Sequence, residues 1–207
     1  MRGELMPLFP LQVVLLPRAP LPLHIFEDRY KEMMREIIAG ESEFGVVLAR
    51  EKGILNVGCT ATVERVLREF DDGRFDLLAV GQRRFRVLEL DNERSFLRGR
   101  IEEVEDDDFA PAAPQKVREA IALQQQYAQA TGTEAEAPDT DEPDLSYVLG
   151  AISPDLDFRQ MLLGTRSEAR RMELVAAHLA RLIQQHEIQE AMRQAARGNG
   201  HGRHLKG

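Results

Sequence analysis

Apolar residues are packed most densely near the start of the chain, from Met6 to Tyr30, where five prolines interrupt them. Because proline fixes φ and donates no hydrogen bond, a strand cannot run unbroken through this stretch. The pattern predicts short extended pieces at Leu5–Phe9 and Val13–Leu16, and a third at Leu21–Phe26 that leads into a helix. A segment this apolar must be covered, so we expect the fold to be built against it.

The spacing of apolar residues then changes to that of a helix, from Glu27 to about Ala39. Gly40 suits the position just past the end of this helix. The residues predicted to share its apolar face are Phe26, Tyr30, Met33, Met34, Ile37 and Ile38.

Alternating and short apolar runs predict strands between residues 44 and 104. A slip in the alternation near Arg65–Leu67 suggests a bulge, and Asp72–Gly73 predicts a hairpin turn. The connections are short, which favours antiparallel pairing and a small open or closed barrel. The predicted strands are Phe44–Ala49, Val57–Val63, Phe75–Val80, Phe85–Leu90 and Phe96–Val104.

Helical patterns dominate the rest of the chain. Asp157 is expected to cap a short helix, and Thr165-x-x-Glu168 forms a capping box for the last long one. The acidic stretch Thr131–Asp144 lacks large apolar residues and indicates a flexible loop. The predicted helices are Lys116–Ala130, Leu145–Ile152, Phe158–Leu163 and a long final helix.

Strands followed by helices indicate an α+β protein. We expect residues 1–109 to form a β-rich subdomain with one early helix. Residues 110–196 are expected to form a helical subdomain, and residues 197–207 a disordered tail.

Composition narrows the class of protein. Hydrophobic residues make up 43% and charged residues 30%, as in ordinary soluble proteins. The sequence contains no apolar run of membrane-spanning length and no signal peptide, so a cytoplasmic protein is expected. The single cysteine, Cys59, rules out an internal disulfide. A net charge of -8 disfavours a dedicated nucleic-acid binder.

The opening run PLFPL…LPLHIFEDRYKEM resembles the start of the substrate-binding N-terminal domain of ATP-dependent Lon proteases, and most closely the stand-alone bacterial proteins that carry that domain alone. The resemblance implies a PUA-like pseudo-barrel followed by a helical subdomain of the same module. It implies a role in capturing protein substrates. The similarity continues in order through Phe44–Glu51, Val57–Val66, Asp71–Glu89 and Phe158–Leu179.

Catalytic signatures of full Lon proteases do not occur in this sequence. It has no GxxxxGK(S/T) loop for ATP phosphates and no segment that resembles the Lon peptidase. We therefore expect a recognition module that is not an enzyme and that needs no cofactor or metal. A hydrolase with an unrecognised site, using Cys59 or a serine with His24, is a further alternative.

An extended or unfolded polypeptide is the expected ligand, with a protease or chaperone as a further partner; the sequence leaves the oligomeric state open. The apolar stretch Leu11–Leu16, interrupted only by Gln12, either belongs to the core, which we favour, or lines a groove. The polar side of the first helix could contact a bound chain. The candidate polypeptide-binding residues are Val14, Leu16, Glu27, Arg29, Tyr30 and Lys31.

An RNA-binding protein is the alternative reading, because PUA-like folds occur in such proteins. Arg84 and Arg86 lie two residues apart, on one face of a predicted strand, and would form its basic face. Pairing of these arginines with neighbouring Glu and Asp across strands is the interpretation we prefer.

Overall fold

The computed structural model describes residues 5–134, 138–140 and 143–199. Residues 197–199 are described by their backbone alone. These residues form seven strands and five helices. The strands are β1 Met6–Leu11, β2 Pro20–Ile25, β3 Phe44–Arg50, β4 Gly53–Ile54, β5 Val57–Glu69, β6 Phe75–Asp91 and β7 Arg98–Glu103. The helices are α1 Asp28–Gly40, α2 Pro114–Thr131, α3 Leu145–Gly150, α4 Leu156–Gly164 and α5 Glu168–Asn199.

Five strands close into a small barrel in the order β1, β7, β6, β5 and β3, and β1 then pairs with β3. The β1–β3 pairing is parallel, and the other pairings are antiparallel. Parallel pairing is possible because β2 and α1 intervene and return the chain to the same end of the barrel. The predicted α+β class and the predicted barrel are confirmed.

The barrel interior is filled mainly by Leu8, Val47 and Phe85. Gly45 and Gly58 make room for the Phe85 ring, since a Cβ at either position would lie 2.6 Å from the ring's Cζ. At Gly58 that Cβ would also lie 2.4 Å from the carbonyl oxygen of Val46. These glycines therefore allow a large aromatic ring inside a narrow barrel.

A second, larger core lies outside the barrel wall and continues from α1 into the helical region. The rings of Phe9 and Tyr30 have centroids 4.3 Å apart in this core. Leu15 belongs to it as well, in a buried segment that is not a strand. The extended piece predicted at Val13–Leu16 is thus irregular chain, which ends at a turn where Arg18 has a φ of 65°. The subdomain boundary at residue 109 stays a prediction.

The predicted bulge and hairpin turn are both present. The pairing of β5 with β6 shifts between Val63 and Arg65 and again between Val66 and Arg68. Gly73 has a φ of 79° in the turn that follows.

Three helix boundaries differ from the predictions. Glu41, not Gly40, takes the left-handed position after α1, and its N–H reaches carbonyls of the last turn. Asp155, not Asp157, caps α4, because its carboxylate accepts from two N–H groups of the first turn. Ser167 caps α5, since its Oγ accepts from the N–H of Arg170 at 3.2 Å.

The predicted tail, residues 197–207, is helical through Asn199, and its remainder lies outside the described residues. Within the described ranges, no helix is both long and apolar enough to cross a bilayer.

Candidate functional site

Strands β2, β6 and β5 form a three-stranded region whose outer side is open. Paired residues share one face of a sheet, so the register defines which side chains lie together. The opposite face carries Leu21 and Leu23, which pack against the larger core. We call the open side the outer face, and its rows are Pro20–Val80–Thr62, Pro22–Leu78–Arg65 and His24–Asp76–Arg68.

The sequence of β2 explains this arrangement. Pro20, Pro22 and His24 are exposed and alternate with residues that are partly or fully buried. Successive residues of a strand direct their N–H groups to opposite edges of the strand. The Ala19 carbonyl accepts from the N–H of Gly81 on β6, so Pro20 and Pro22 lie at positions whose N–H would point away from β6. No described strand pairs with that side of β2. The edge therefore lacks the donors that a further strand would need.

The free edge of β5 is blunted in another way. In the described chain, β3 pairs with β5 only as far as Ala61. Beyond that point β5 carries two bulges and exposes charged side chains such as Glu64. Bulges and charges oppose the addition of another strand. An extended chain would consequently find the outer face more accessible than either edge.

Aromatic rings gather at one end of the outer face, which we call the aromatic end: His24, Phe26 and Phe70. Phe26 is 59% exposed. The His24 ring lies 5.9 Å from Phe26 and 6.0 Å from Phe70. The guanidinium groups of Arg68 and Arg74 lie 4.3 and 4.9 Å from the Phe70 ring. Exposed aromatic and arginine side chains of this kind dominate the energetics of many protein interfaces.

His24 is held in place by an acidic partner. Its Nδ1 lies 2.6 Å from Oδ1 of Asp76, the residue opposite it on β6. This contact positions the ring within 6.0 Å of both phenylalanines.

A groove of about 1160 Å³ lies elsewhere, between α1, the start of β1 and the β6–β7 hairpin. Its arginines are already paired: Arg94 binds two glutamates of α1, Arg98 binds Asp91, and Arg100 binds Glu89. Apolar residues such as Leu5, Met6 and Leu90 also line the groove, so paired charges and apolar surface are mixed in it. The outer face is the stronger candidate for holding an apolar chain because Phe26 is 59% exposed there, whereas the arginines of the groove are already paired.

Three predicted binding residues are buried. Val14 is 4% exposed, Leu16 1% and Tyr30 8%. Burial is also the main cause that raises the pKa of Tyr30. The segment after β1 is apolar at successive positions because it is enclosed by the core, so the core alternative is the one that the structure supports.

Two of the charged candidates, Glu27 and Arg29, lie at the surface beside Phe26, whereas the side chain of Lys31 is only 14% exposed. Glu27 pairs with Arg29 at 2.7 Å, and Arg29 lies over the Tyr30 ring at 4.5 Å. Lys31 pairs with Asp28 at 3.1 Å. They follow Phe26 directly in the chain and so border the aromatic end, but their role in binding stays a prediction.

Arg84 and Arg86 do not form a basic face. Arg84 is 8% exposed and pairs with Asp106, while Arg86 is exposed and lies 3.7 Å from Glu102. Arg83 pairs with Glu43 and Glu103. Acidic partners thus account for these arginines, although Asp106, the partner of Arg84, lies after β7 and not across a strand pair; the RNA-binding alternative is not supported.

Asp106 belongs to a buried ionic cluster, which the sequence did not reveal. Arg171, with no exposed side-chain area, contacts Asp106, Asp144 and Glu168. Its guanidinium also lies 4.5 Å from the ring centroid of Tyr147. The cluster joins the end of the barrel to the helices and holds the two parts in register.

The groups considered for metal binding or nucleophilic catalysis can be placed within the part of the chain that the structure describes. Among the described residues, no group of three His, Cys, Asp or Glu side chains could hold a metal ion. Burial raises the pKa of the Cys59 thiol to about 12, so the thiolate does not form at neutral pH. His24 contacts Asp76, on a different part of the fold from this core thiol.

A buried serine–histidine contact also has the wrong protonation for catalysis. Ser153 Oγ lies 2.8 Å from His178 Nε2. Arg181 donates to His178 Nδ1, so Nε2 carries the proton and donates to the serine. Ser153 Oγ also accepts from the N–H of Asp155. These bonds secure the turn before α4.

Sequence reasoning missed the outer face, although β2 carried a signal for it. The helical spacing predicts Phe26 on the apolar face of the first helix. In the structure, Phe26 lies before that helix and is exposed. The strict alternation in PLPLHI, with prolines and histidine on one side, could have indicated an exposed strand face.

Comparison with known proteins agrees with this architecture. The chain matches the model of the ATP-dependent protease La (LON) substrate-binding domain over residues 5–181. It is 29% identical to a Lon protease of Anaeromyxobacter dehalogenans over 194 residues, which cover 85% of this chain and 23% of that protein. A Lon protease of Parabacteroides distasonis is 31% identical over 113 residues, 50% of this chain and 14% of that protein. The chain therefore spans less than a quarter of these relatives.

Two solved structures share the fold. A Lon N-terminal domain protein from Xanthomonas campestris has a TM-score of 0.66 and 27% identity, covering 84% of this chain and 98% of that one. The N-terminal domain of a Mycobacterium avium complex Lon protease has a TM-score of 0.63 at 16% identity, covering 86% of this chain and 98% of that one, and supports the fold alone. The family model spans most of the sequence, and the chain belongs to the LON substrate-binding domain family.

Proposed function

We propose that this chain is a non-catalytic recognition module that holds extended or partly unfolded polypeptide on its outer face. The observation that carries this proposal is the aromatic end, where Phe26 is 59% exposed and continuous with the prolines of β2. The family to which the chain belongs is described as a substrate-binding domain. Polypeptide is the substrate class that a Lon-like module would receive.

Affinity in this mechanism comes from apolar contact. Pro22, Leu78 and Phe26 provide a surface for large apolar side chains, and charged residues such as Glu27 and Arg29 orient the bound chain. Folded proteins bury most such side chains, so a surface of this kind favours unfolded clients. A protease or chaperone that receives the bound polypeptide is the partner that this function implies.

The cytoplasm is the compartment we propose. A single, buried Cys59 fits a reducing environment.

Binding of a fluorescently labelled, permanently unfolded protein tests the proposal. Phe26→Ser should weaken binding about tenfold or more, because a central aromatic contact is lost. Met192→Ser is the matched control, since Met192 is a 67% exposed apolar residue on α5. Binding that survives moderate salt supports apolar contact. Equal affinity of Phe26→Ser and the parent protein would remove the outer face from the account.

A further inference from the structure

Two arginines of the outer face have no acidic partner. Within the described part of the chain, neither Arg65 nor Arg68 forms an ion pair, and the Arg68 guanidinium lies 4.3 Å from the Phe70 ring centroid. By contrast, Arg74 beside them pairs with Asp72 at 2.7 Å.

The carboxylate best placed to neutralise Arg68 is already in use. Asp76 lies opposite Arg68 in the sheet register. Its Oδ1 is held by His24 at 2.6 Å. The side chain of Arg68 is exposed, and its guanidinium lies over the Phe70 ring and forms no ion pair with Asp76.

The positions of the two arginines match the repeat of an extended chain. Arg65 and Arg68 occupy adjacent rows of the outer face, because the bulge after Val66 absorbs the extra residue between them. Adjacent rows are about 6.8 Å apart, the distance between alternate residues of an extended polypeptide. Acidic side chains at alternate positions would reach both guanidinium groups, which bind carboxylates bidentately.

Apolar and cationic residues are separated on the outer face. The β2 column carries Pro20 and Pro22, the β6 column carries Val80 and Leu78, and the arginines lie on β5. A ligand that is complementary to this surface needs both large apolar and acidic side chains.

We propose that Arg65 and Arg68 make the outer face selective for polypeptides in which acidic side chains at alternate positions accompany large apolar ones. This selectivity rests on the proposed function and adds the chemical class of its preferred client.

Short labelled peptides with identical apolar residues test the selectivity, with two glutamates, two glutamines or two lysines at alternate positions. Fluorescence anisotropy at low and moderate salt should rank them glutamate, glutamine, lysine in decreasing affinity. The glutamate peptide should bind roughly three- to tenfold more tightly than the glutamine peptide, the range expected for two exposed ion pairs.

Charge reversal supplies the second arm. The double variant Arg65→Glu, Arg68→Glu should reverse the ranking so that the lysine peptide binds best. Arg118→Glu on α2, an exposed arginine outside the outer face, is the control for the charge change that each of the two substitutions makes. Reversal in the double variant and an unchanged ranking in the control are the expected result.

The outcomes separate the two proposals. Equal affinity for the three peptides, with binding still lost in Phe26→Ser, overturns the selectivity and leaves the proposed function standing. A ranking changed as much by Arg118→Glu as by the double variant also overturns the selectivity, because net charge would then explain it. Binding that is insensitive to Phe26→Ser overturns both.

Discussion

Replacing Arg171 with methionine should destabilise the protein strongly, although Arg171 lies far from the outer face in the chain. Its side chain has no exposed area. It donates to Asp106 at 2.7 and 2.9 Å, to the Thr165 carbonyl at 2.8 Å, and to Asp144 at 2.7 Å. Methionine fills similar space but supplies none of these donors.

The magnitude follows from what the substitution leaves behind. Burial alone would raise the pKa of Asp106, but hydrogen bonds and charge from Arg171 and Arg84 hold it below its usual value. Without Arg171, Asp106 keeps one cationic partner, while Asp144 and Glu168 lose theirs within the cluster. Breaking a buried pair by removing one partner costs about 3–5 kcal/mol.

Urea unfolding at neutral pH, followed by circular dichroism, measures this loss. In thermal unfolding, the melting temperature should fall by roughly 10–15 °C for a protein of this size. Arg118→Met, on the exposed side of α2, is the control and should change stability by less than about 0.5 kcal/mol. A loss below about 1 kcal/mol for Arg171→Met would refute the view that the cluster holds the barrel and helices together.

Three further predictions concern the interior of the protein. Gly58→Ala should cost about 1–3 kcal/mol in urea unfolding, because its Cβ would meet the Val46 carbonyl; Gly164→Ala, with no atom within 4 Å of the new Cβ, should cost little. Burial, with the charge of Arg181, lowers the pKa of His178 from about 6.5 to about 4. Between these two pH values the unfolded state therefore binds more protons than the folded state. The contribution of His178 to the free energy of unfolding should be complete above pH 6.5 and decrease toward pH 4, by at most about 1.4 kcal/mol per pH unit. His178→Gln should remove this part of the pH dependence when unfolding is measured across the same range. Cys59, buried and with its pKa raised to about 12, should resist alkylation at pH 8 until urea unfolds the protein, and rapid modification of the folded protein would contradict this placement.

Local patterns predicted the elements of this fold well because their signals are contained in short stretches. The hairpin at Asp72–Gly73 needs a residue that tolerates positive φ, and Gly73 provides it. The face of α1 was predicted correctly at Tyr30, Met33, Met34 and Ile37, all of which are buried. The sequence also supported an α+β barrel, since strands precede most of the helices.

Long-range pairing was beyond such reasoning. Arg171 draws its partners from residues 106, 144 and 168, and nothing local distinguishes it from the exposed Arg170 beside it. Arg84 looked like a surface cation on a strand, but the turn after α4 covers it and accepts its hydrogen bonds. Such burial depends on how elements pack, which spacing along one strand does not specify.

Mapping the bound polypeptide on the protein by NMR tests the central claim most directly. Backbone amide resonances would be followed while an unlabelled, unfolded polypeptide is added to the isotope-labelled chain. We predict that the chemical-shift changes are concentrated in residues 21–26, 62–70 and 76–80, which form the outer face and its aromatic end. Shifts confined to the groove beside Arg94 and Arg98, or to α5 around Met192, would contradict it.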